Sequence, residues 1–151
     1  ESVLKAKIKG FMEVFDLAGD LYSEIASFSK GMTQKVLITA ALLHDPEILL
    51  LDEPLSGLDV STILIIEKLV RRLASEGHLV IYSSHLLDIV EKVASRVLIL
   101  YQGKVRADDS VENLRQLMKV PSLEEIFGQL VVQEDPEAAA SELLSLMKKN
   151  G

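Results

Sequence analysis

"EILLLDEP", residues 47 to 54, is an unbroken apolar run that ends on two adjacent acids and a proline. The run follows Pro46 and is too short for a buried helix. Its length fits a strand covered on both faces, as in a parallel sheet. Unpaired charge is costly to bury, so Asp52 and Glu53 belong at the end of that strand rather than inside it. Open α/β sheets bind ligands at this carboxyl edge. Neighbours on an extended chain point to opposite sides, so the two acids can divide two tasks. One can hold a hydrated Mg²⁺, which needs few carboxylates when waters and phosphate oxygens complete its shell. The other can aim at a reacting water. The same residues also read as the start of an ordinary turn stiffened by Pro54.

Working outward, strands and helices alternate. Val3, Leu4, Ile8, Phe11, Val14, Phe15 and Leu17 recur at three- and four-residue steps, predicting an amphipathic helix from about residue 2 to 18, broken at Gly19-Asp20. "KVLITAALLHD" (35–45) reads as a mostly buried helix ending near Pro46. "LDVSTILIIEKLVRRLASEG" reads as a helix capped by Asp59 or Ser61 and stopped by Gly77. "HLVIYSS" (78–84) is a second buried strand and "LLDIVEKVA" (86–94) a helix. "RVLILYQGKVRAD" predicts two strands joined by a tight turn at Gln102-Gly103. "SVENLRQLMK", "SLEEIFGQL" and "PEAAASELLSLMKK" predict helices on the outside. The alternation gives an α/β class with a parallel sheet.

The 151 residues suffice for one domain with a sizeable core, and 48% hydrophobic with 26% charged residues is a globular balance. The formal net charge of −7 argues against bulk nucleic-acid binding, which wants a basic face. Cysteine is absent, which excludes disulfides and thiolate metal sites and fits a cytoplasmic setting. No apolar run approaches the ~18–20 residues that span a bilayer. The charged opening "ESVLKAKIKG" is not a signal peptide and lacks an initiating Met, so the chain reads as a piece of something longer.

Three further stretches carry candidate chemistry. In "SFSKGMTQ" (27–34), Ser29, Gly31 and Thr33 sit just before an apolar helix. Unpaired N–H groups and partial positive charge make a helix N-terminus a seat for phosphate. Gly31 lets the backbone come close, and Lys30 adds a cation. Ser29 or Thr33 can equally be a plain helix cap. "LSGLD" (55–59) is by itself a loop, with Gly57 permitting a turn and Asp59 able to cap the next helix. "YSSH" (82–85) places His85 just past a buried strand, at the same edge as Asp52 and Glu53. A lone His is more often structural, but two strand ends carrying Asp-Glu and His at one edge are unusual. His44 and His78 have no such context and read as surface or helix-end residues.

Together these stretches resemble, in order and spacing, the nucleotide-binding domain of ATP-binding-cassette (ABC) proteins. "FSKGMTQ" resembles the signature motif, usually written LSGGQ, with Ser29 and Gly31 on its serine and second glycine. "ILLLDEP" resembles the Walker B strand with its catalytic glutamate, "LSGLD" the D-loop, and "SSH" the switch-histidine loop. Lys30 and Met32 depart from the commonest signature. The "SKGM" form and the later "VPSLEEIF" (120–127) resemble the ATPase subunits of ABC-2-type exporters.

The resemblance implies a fold and a mechanism. Residues 1–45 would be part of the helical subdomain with the signature, 46–107 the second half of the catalytic core, and 108–151 a helical extension. The core would be part of a P-loop NTPase-like parallel sheet with flanking helices. The phosphate-cradling string G-x-x-x-x-G-K-[ST] occurs nowhere in the 151 residues, so the chain resembles the carboxyl-terminal part of the domain. Two such domains would enclose ATP. Asp52 would hold Mg²⁺ through water, Glu53 would act as general base, and His85 would contact the γ-phosphate. Ser29, Lys30, Gly31, Met32 and Gln34 would reach the ATP held by a second nucleotide-binding domain, and Asp59 would help fix that interface. The implied partners are a second nucleotide-binding domain and a membrane-spanning permease, with no nucleic acid, and the implied location is peripheral on the cytoplasmic face. The chain by itself is expected to be inactive and to self-associate through its exposed sheet edge. A soluble ABC ATPase of DNA repair, chromosome maintenance or translation, and a non-hydrolysing assembly module, are the alternatives.

Overall fold

The computed structural model describes residues 2–131 and 136–148. The chain folds as two units, one up to Ile89 and one from Val90 onward.

The first unit opens with helix α1, Ser2–Val14. It ends earlier than its apolar periodicity predicts. Asp16 takes the left-handed conformation, Leu17 N–H donates to Met12 O at 2.7 Å, and Asp16 N–H donates to Glu13 O at 3.2 Å. This pair of bonds is a Schellman stop, sealed by burial of Met12 and Leu17. Two 3₁₀ turns follow, Ala18–Asp20 and Ile25–Ser27. Helix α2 then spans Lys30–Leu42, strand β1 Ile48–Asp52, helix α3 Val60–Ser75 and strand β2 Leu79–Ser83.

β1 and β2 pair in parallel, with Ile48 opposite Leu79, Leu50 opposite Ile81 and Asp52 opposite Ser83. The prediction of strands buried on both faces is corrected. Leu49 is buried and helps line a cavity with Phe11, Leu42, Leu69 and Leu73, so α1, α2 and α3 cover one face. The alternate residues face the other way: Leu50 is 70% exposed, and Ile48, Leu79 and Ile81 are each more than half exposed. The helix α2 is likewise buried along one stripe only, at Ile38 and Thr39, with Leu37 exposed. His78 is a helix-end residue, one of the two expected readings: its N–H donates to Leu73 O at 3.0 Å at the end of α3, while its side chain lines the same cavity with Nδ1 2.8 Å from Pro46 O.

Helix α4, Leu87–Val93, carries the division between the units. The second unit contains an antiparallel hairpin of β3, Val97–Tyr101, and β4, Lys104–Asp109, with a register shift between Ile99 and Leu100. Its turn is the one predicted. Gln102 and Gly103 have φ of 50° and 70°, the positive values a two-residue type I′ loop requires. Helices α5, Val111–Met118, α6, Leu123–Val131, and α7, Pro136–Lys148, follow. α6 lies on the outside with one face turned fully inward. Leu123 and Ile126 have no solvent exposure, and the Glu91 carboxylate accepts both Leu123 N–H at 3.0 Å and Arg115 Nη1–H at 3.2 Å. One face of α6, Leu123, Ile126 and Val131, is therefore core of this unit, while Glu124 and Glu125 stay exposed. α7 is exposed along its described side chains, as predicted.

Candidate functional site

The parallel register brings the ends of β1 and β2 together. Ser83 Oγ donates to Asp52 Oδ1 at 2.5 Å and accepts Glu53 N–H at 3.0 Å. His85, just beyond β2, donates from Nδ1 to Glu53 Oε2 at 2.8 Å. Glu53 itself has φ of 44°. That left-handed conformation costs a non-glycine residue roughly 1–2 kcal/mol. Strain of this kind persists where surrounding bonds over-determine the backbone. Here Ser83 holds the Glu53 N–H and Ser56 N–H donates to Glu53 O at 3.1 Å. Asp52, Glu53 and His85 thus form one cluster at the carboxyl edge.

Of the two readings the sequence allows for 29–34, the helix cap at Ser29 is the one observed, and the stretch after it starts the helix rather than preceding it. Ser29 is the N-cap, its Oγ accepting Met32 N–H at 3.2 Å, and Lys30 to Gln34 form the first turns of α2. A serine cap supplies one of the missing acceptors and so sets the start five residues earlier than the apolar pattern alone. These turns dock on the loop after β1. Lys30 Nζ donates to Ser56 Oγ at 2.8 Å, and Gln34 Nε2 donates to Pro54 O at 3.1 Å. Gly31 lies so close to the Gly57 carbonyl that a Cβ there would sit 2.6 Å from its oxygen.

Asp59 caps α3. Its carboxylate accepts Ser61 Oγ–H, Thr62 N–H and Thr62 Oγ1–H, and pairs with Lys35 Nζ at 3.1 Å. The Ser61 hydroxyl first, then Thr62 and Lys35, hold its carboxyl well below the usual carboxylate range. Lys35 is only 14% exposed at its side chain and also donates to Phe15 O at 3.2 Å. Because the folded state lowers this pKa, the associated stability is present above the ordinary value of 3.8 and lost as pH falls below it. Asp59→Asn is therefore expected to melt below wild type near neutrality, with the gap narrowing from about pH 4 downward. Thermal melts across that range check this, and a gap independent of pH would contradict it.

Among the described residues, no group of three or more His, Asp or Glu is placed to hold a metal ion unaided. Asp52, held by the Ser83 hydroxyl, offers a single carboxylate, the number that would suffice for a Mg²⁺ whose shell is completed by waters and phosphate oxygens. The start of α2, with Lys30 in its first turn, suits a phosphate. Ser83, Ser56 and Lys35 are contributors that sequence reasoning missed. Ser83 is found once the strand register is known, because it lies opposite Asp52. Ser56 and Lys35 meet their partners 26 and 24 residues away, and no local pattern announces that.

Residues 3–56 match the family model of the ABC transporter. The chain is 32% identical over 130 residues to the ABC transporter ATP-binding protein NatA of Bacillus subtilis (strain 168), covering 86% of this chain and 53% of NatA. It is 35% identical over 113 residues to the bacitracin transport ATP-binding protein BcrA of Bacillus licheniformis, covering 74% of this chain and 37% of BcrA. The fold matches a solved ATP-binding subunit of an ABC transporter with a TM-score of 0.79 at 30% identity, over 86% of this chain and 55% of that one. A nucleotide-free ATP-binding cassette from an ABC transporter shares the fold with a TM-score of 0.64 at 23% identity. The chain spans about half the length of NatA and less of BcrA. Among the described residues no helix is long and apolar enough to cross a membrane. The sequence match runs through Ser29, Asp52 and Glu53, the fold match covers most of the chain, and both are to ATP-binding proteins of ABC transporters.

Proposed function

We propose that this chain is the signature and Walker B part of an ATP-binding, ATP-hydrolysing subunit that powers export across a membrane. The observation that carries the proposal is the joined cluster at the carboxyl edge, Asp52, Ser83, Glu53 and His85, with the first turns of α2 docked on the loop directly after it. Asp52 would hold the Mg²⁺ of Mg-ATP, which when bound would supply neutralisation of charge on the phosphates. Glu53 is the general base, its carboxylate oriented by the His85 Nδ1–H and its backbone by Ser83. Ser29, Lys30, Gly31, Met32 and Gln34, at the start of α2, face the ATP held by a second nucleotide-binding domain. Asp59 stiffens the D-loop that meets it. Hydrolysis then waits on closure of two domains, and closure is passed to a permease at the cytoplasmic face.

The domain assignment is part of the same proposal: 1–45 part of the helical subdomain with the signature, 46–107 the second half of the catalytic core, 108–151 a helical extension. The exporter reading is supported by the similarity to a bacitracin transport ATP-binding protein and by "SKGM". The experiment is ATP turnover by the assembled transporter, with wild-type and Glu53→Gln subunits.

The open apolar face of Ile48, Leu50, Leu79 and Ile81 is the surface through which this chain self-associates when studied alone. Contiguous apolar patches on soluble domains mark contact sites. Light scattering of the 151-residue chain is expected to report dimers or larger species, reduced by Leu50→Asp together with Ile81→Asp. A strictly monomeric profile at high concentration would contradict this. The same isolated chain is expected to bind Mg-ATP weakly and to hydrolyse none, and micromolar binding by calorimetry would overturn that.

A further inference from the structure

The two serines of "YSSH" do different work. Ser84 Oγ accepts Leu86 N–H at 3.0 Å, a turn within its own segment. Ser83 reaches across to β1. Its hydroxyl donates to Asp52 Oδ1 and accepts Glu53 N–H at 3.0 Å. A hydroxyl has one hydrogen and two lone pairs, so both bonds can be made at once with the hydrogen on the aspartate side. The arrangement follows from topology. The parallel register sets Ser83 opposite Asp52 on the last rung, so both side chains leave the same face of the sheet. Beyond that rung β1 ends and Glu53 turns at positive φ, so the Glu53 N–H has no strand partner and takes the Ser83 oxygen instead.

We propose that Ser83 is a positioning residue for the acidic pair, one hydroxyl fixing both the carboxylate of Asp52 and the turn that aims Glu53. The aspartate would be free to rotate without it, and the strained turn at Glu53 would lose the bond at its amide. Ser83 touches neither nucleotide nor water in this role and acts through Asp52 and Glu53. The inference rests on the proposed function for its catalytic consequence, but the clamp itself is a property of this chain alone.

Two measurements test it, on Ser83→Ala, Ser83→Thr and Ser84→Ala beside wild type. The first is amide hydrogen exchange at Glu53 in this chain. Ser83→Ala is expected to speed it roughly fivefold, the factor a net hydrogen bond supplies, with the increase confined to the turn. Ser83→Thr, which keeps the hydroxyl, restores protection to within about twofold, and Ser84→Ala matches wild type. The second is the Mg²⁺ concentration for half-maximal ATP hydrolysis by the assembled transporter, expected to rise roughly fivefold in Ser83→Ala and to recover in Ser83→Thr. Unchanged Glu53 exchange in Ser83→Ala overturns the proposal. So does a general rise across β1 and β2, an unaltered Mg²⁺ requirement, or a threonine variant no better than alanine. If the wild-type assembly hydrolyses no ATP, the proposed function fails, and the exchange measurement still decides whether Ser83 clamps the pair.

Discussion

Glu53→Gln is expected to lower ATP turnover by about 10²- to 10⁴-fold, the range a positioned general base contributes, while leaving ATP bound. Glutamine keeps the length and one carbonyl oxygen, so His85 Nδ1–H retains an acceptor where it now meets Oε2 at 2.8 Å. The backbone bond from Glu53 N–H to Ser83 Oγ does not involve the side chain and survives. The positive φ of residue 53 is no harder for glutamine than for glutamate. What is lost is the negative charge that accepts a proton from the attacking water. The substitution therefore separates chemistry from architecture. Two domains that have closed around ATP should stay closed, because the step that normally reopens them has been removed.

Gly31→Ala is expected to have the second large effect, through packing. Near a helix start alanine ordinarily helps, by up to about 1 kcal/mol relative to glycine. Here the new methyl would sit 2.6 Å from the Gly57 carbonyl oxygen, a backbone atom that cannot swing aside. Overpacking of this kind costs about 1–3 kcal/mol, so the clash exceeds the propensity gain. The first turns of α2 would be pushed off the 54–59 loop, stretching the Lys30–Ser56 and Gln34–Pro54 bonds. Thermal unfolding of the chain should fall by several degrees, on the order of 2–4 °C per kcal/mol at this size. A variant as stable as wild type or more so would show that α2 and the loop are not held in contact.

Much of this was legible in the sequence because each motif is a local pattern. A short apolar run after Pro46 that ends in Asp52-Glu53 favours a strand terminus by its length, and a Gln-Gly pair between two apolar runs favours a tight turn. The order of the four stretches then pointed to one family. What escaped were properties set by distant partners. "ILLLD" looks the same whether helices cover one face of the strand or both, so the exposure of Leu50 was invisible. The start of α2 was left open between Ser29 and residue 35, because apolar periodicity begins only after residue 34, whereas the Ser29 hydroxyl caps the helix before any apolar stripe appears. "SLEEIF" reads as an ordinary amphipathic helix, and nothing local announces that Glu91, more than thirty residues upstream, accepts its Leu123 N–H. Ser83 becomes interesting only when the register puts it opposite Asp52. Lys35 acquires its role only when α2 and the loop meet, where it ties Asp59 to the Phe15 carbonyl.

That Asp52, Glu53 and His85, with the start of α2, are part of an ATP-hydrolysing site is tested most directly by phosphate release from the assembled transporter, with bound ATP measured in the same samples. The wild-type assembly should release phosphate in a Mg²⁺-dependent manner, and the Glu53→Gln assembly should release almost none while retaining ATP. Release by Glu53→Gln at the wild-type rate, or no Mg²⁺-dependent release by wild type, would contradict it.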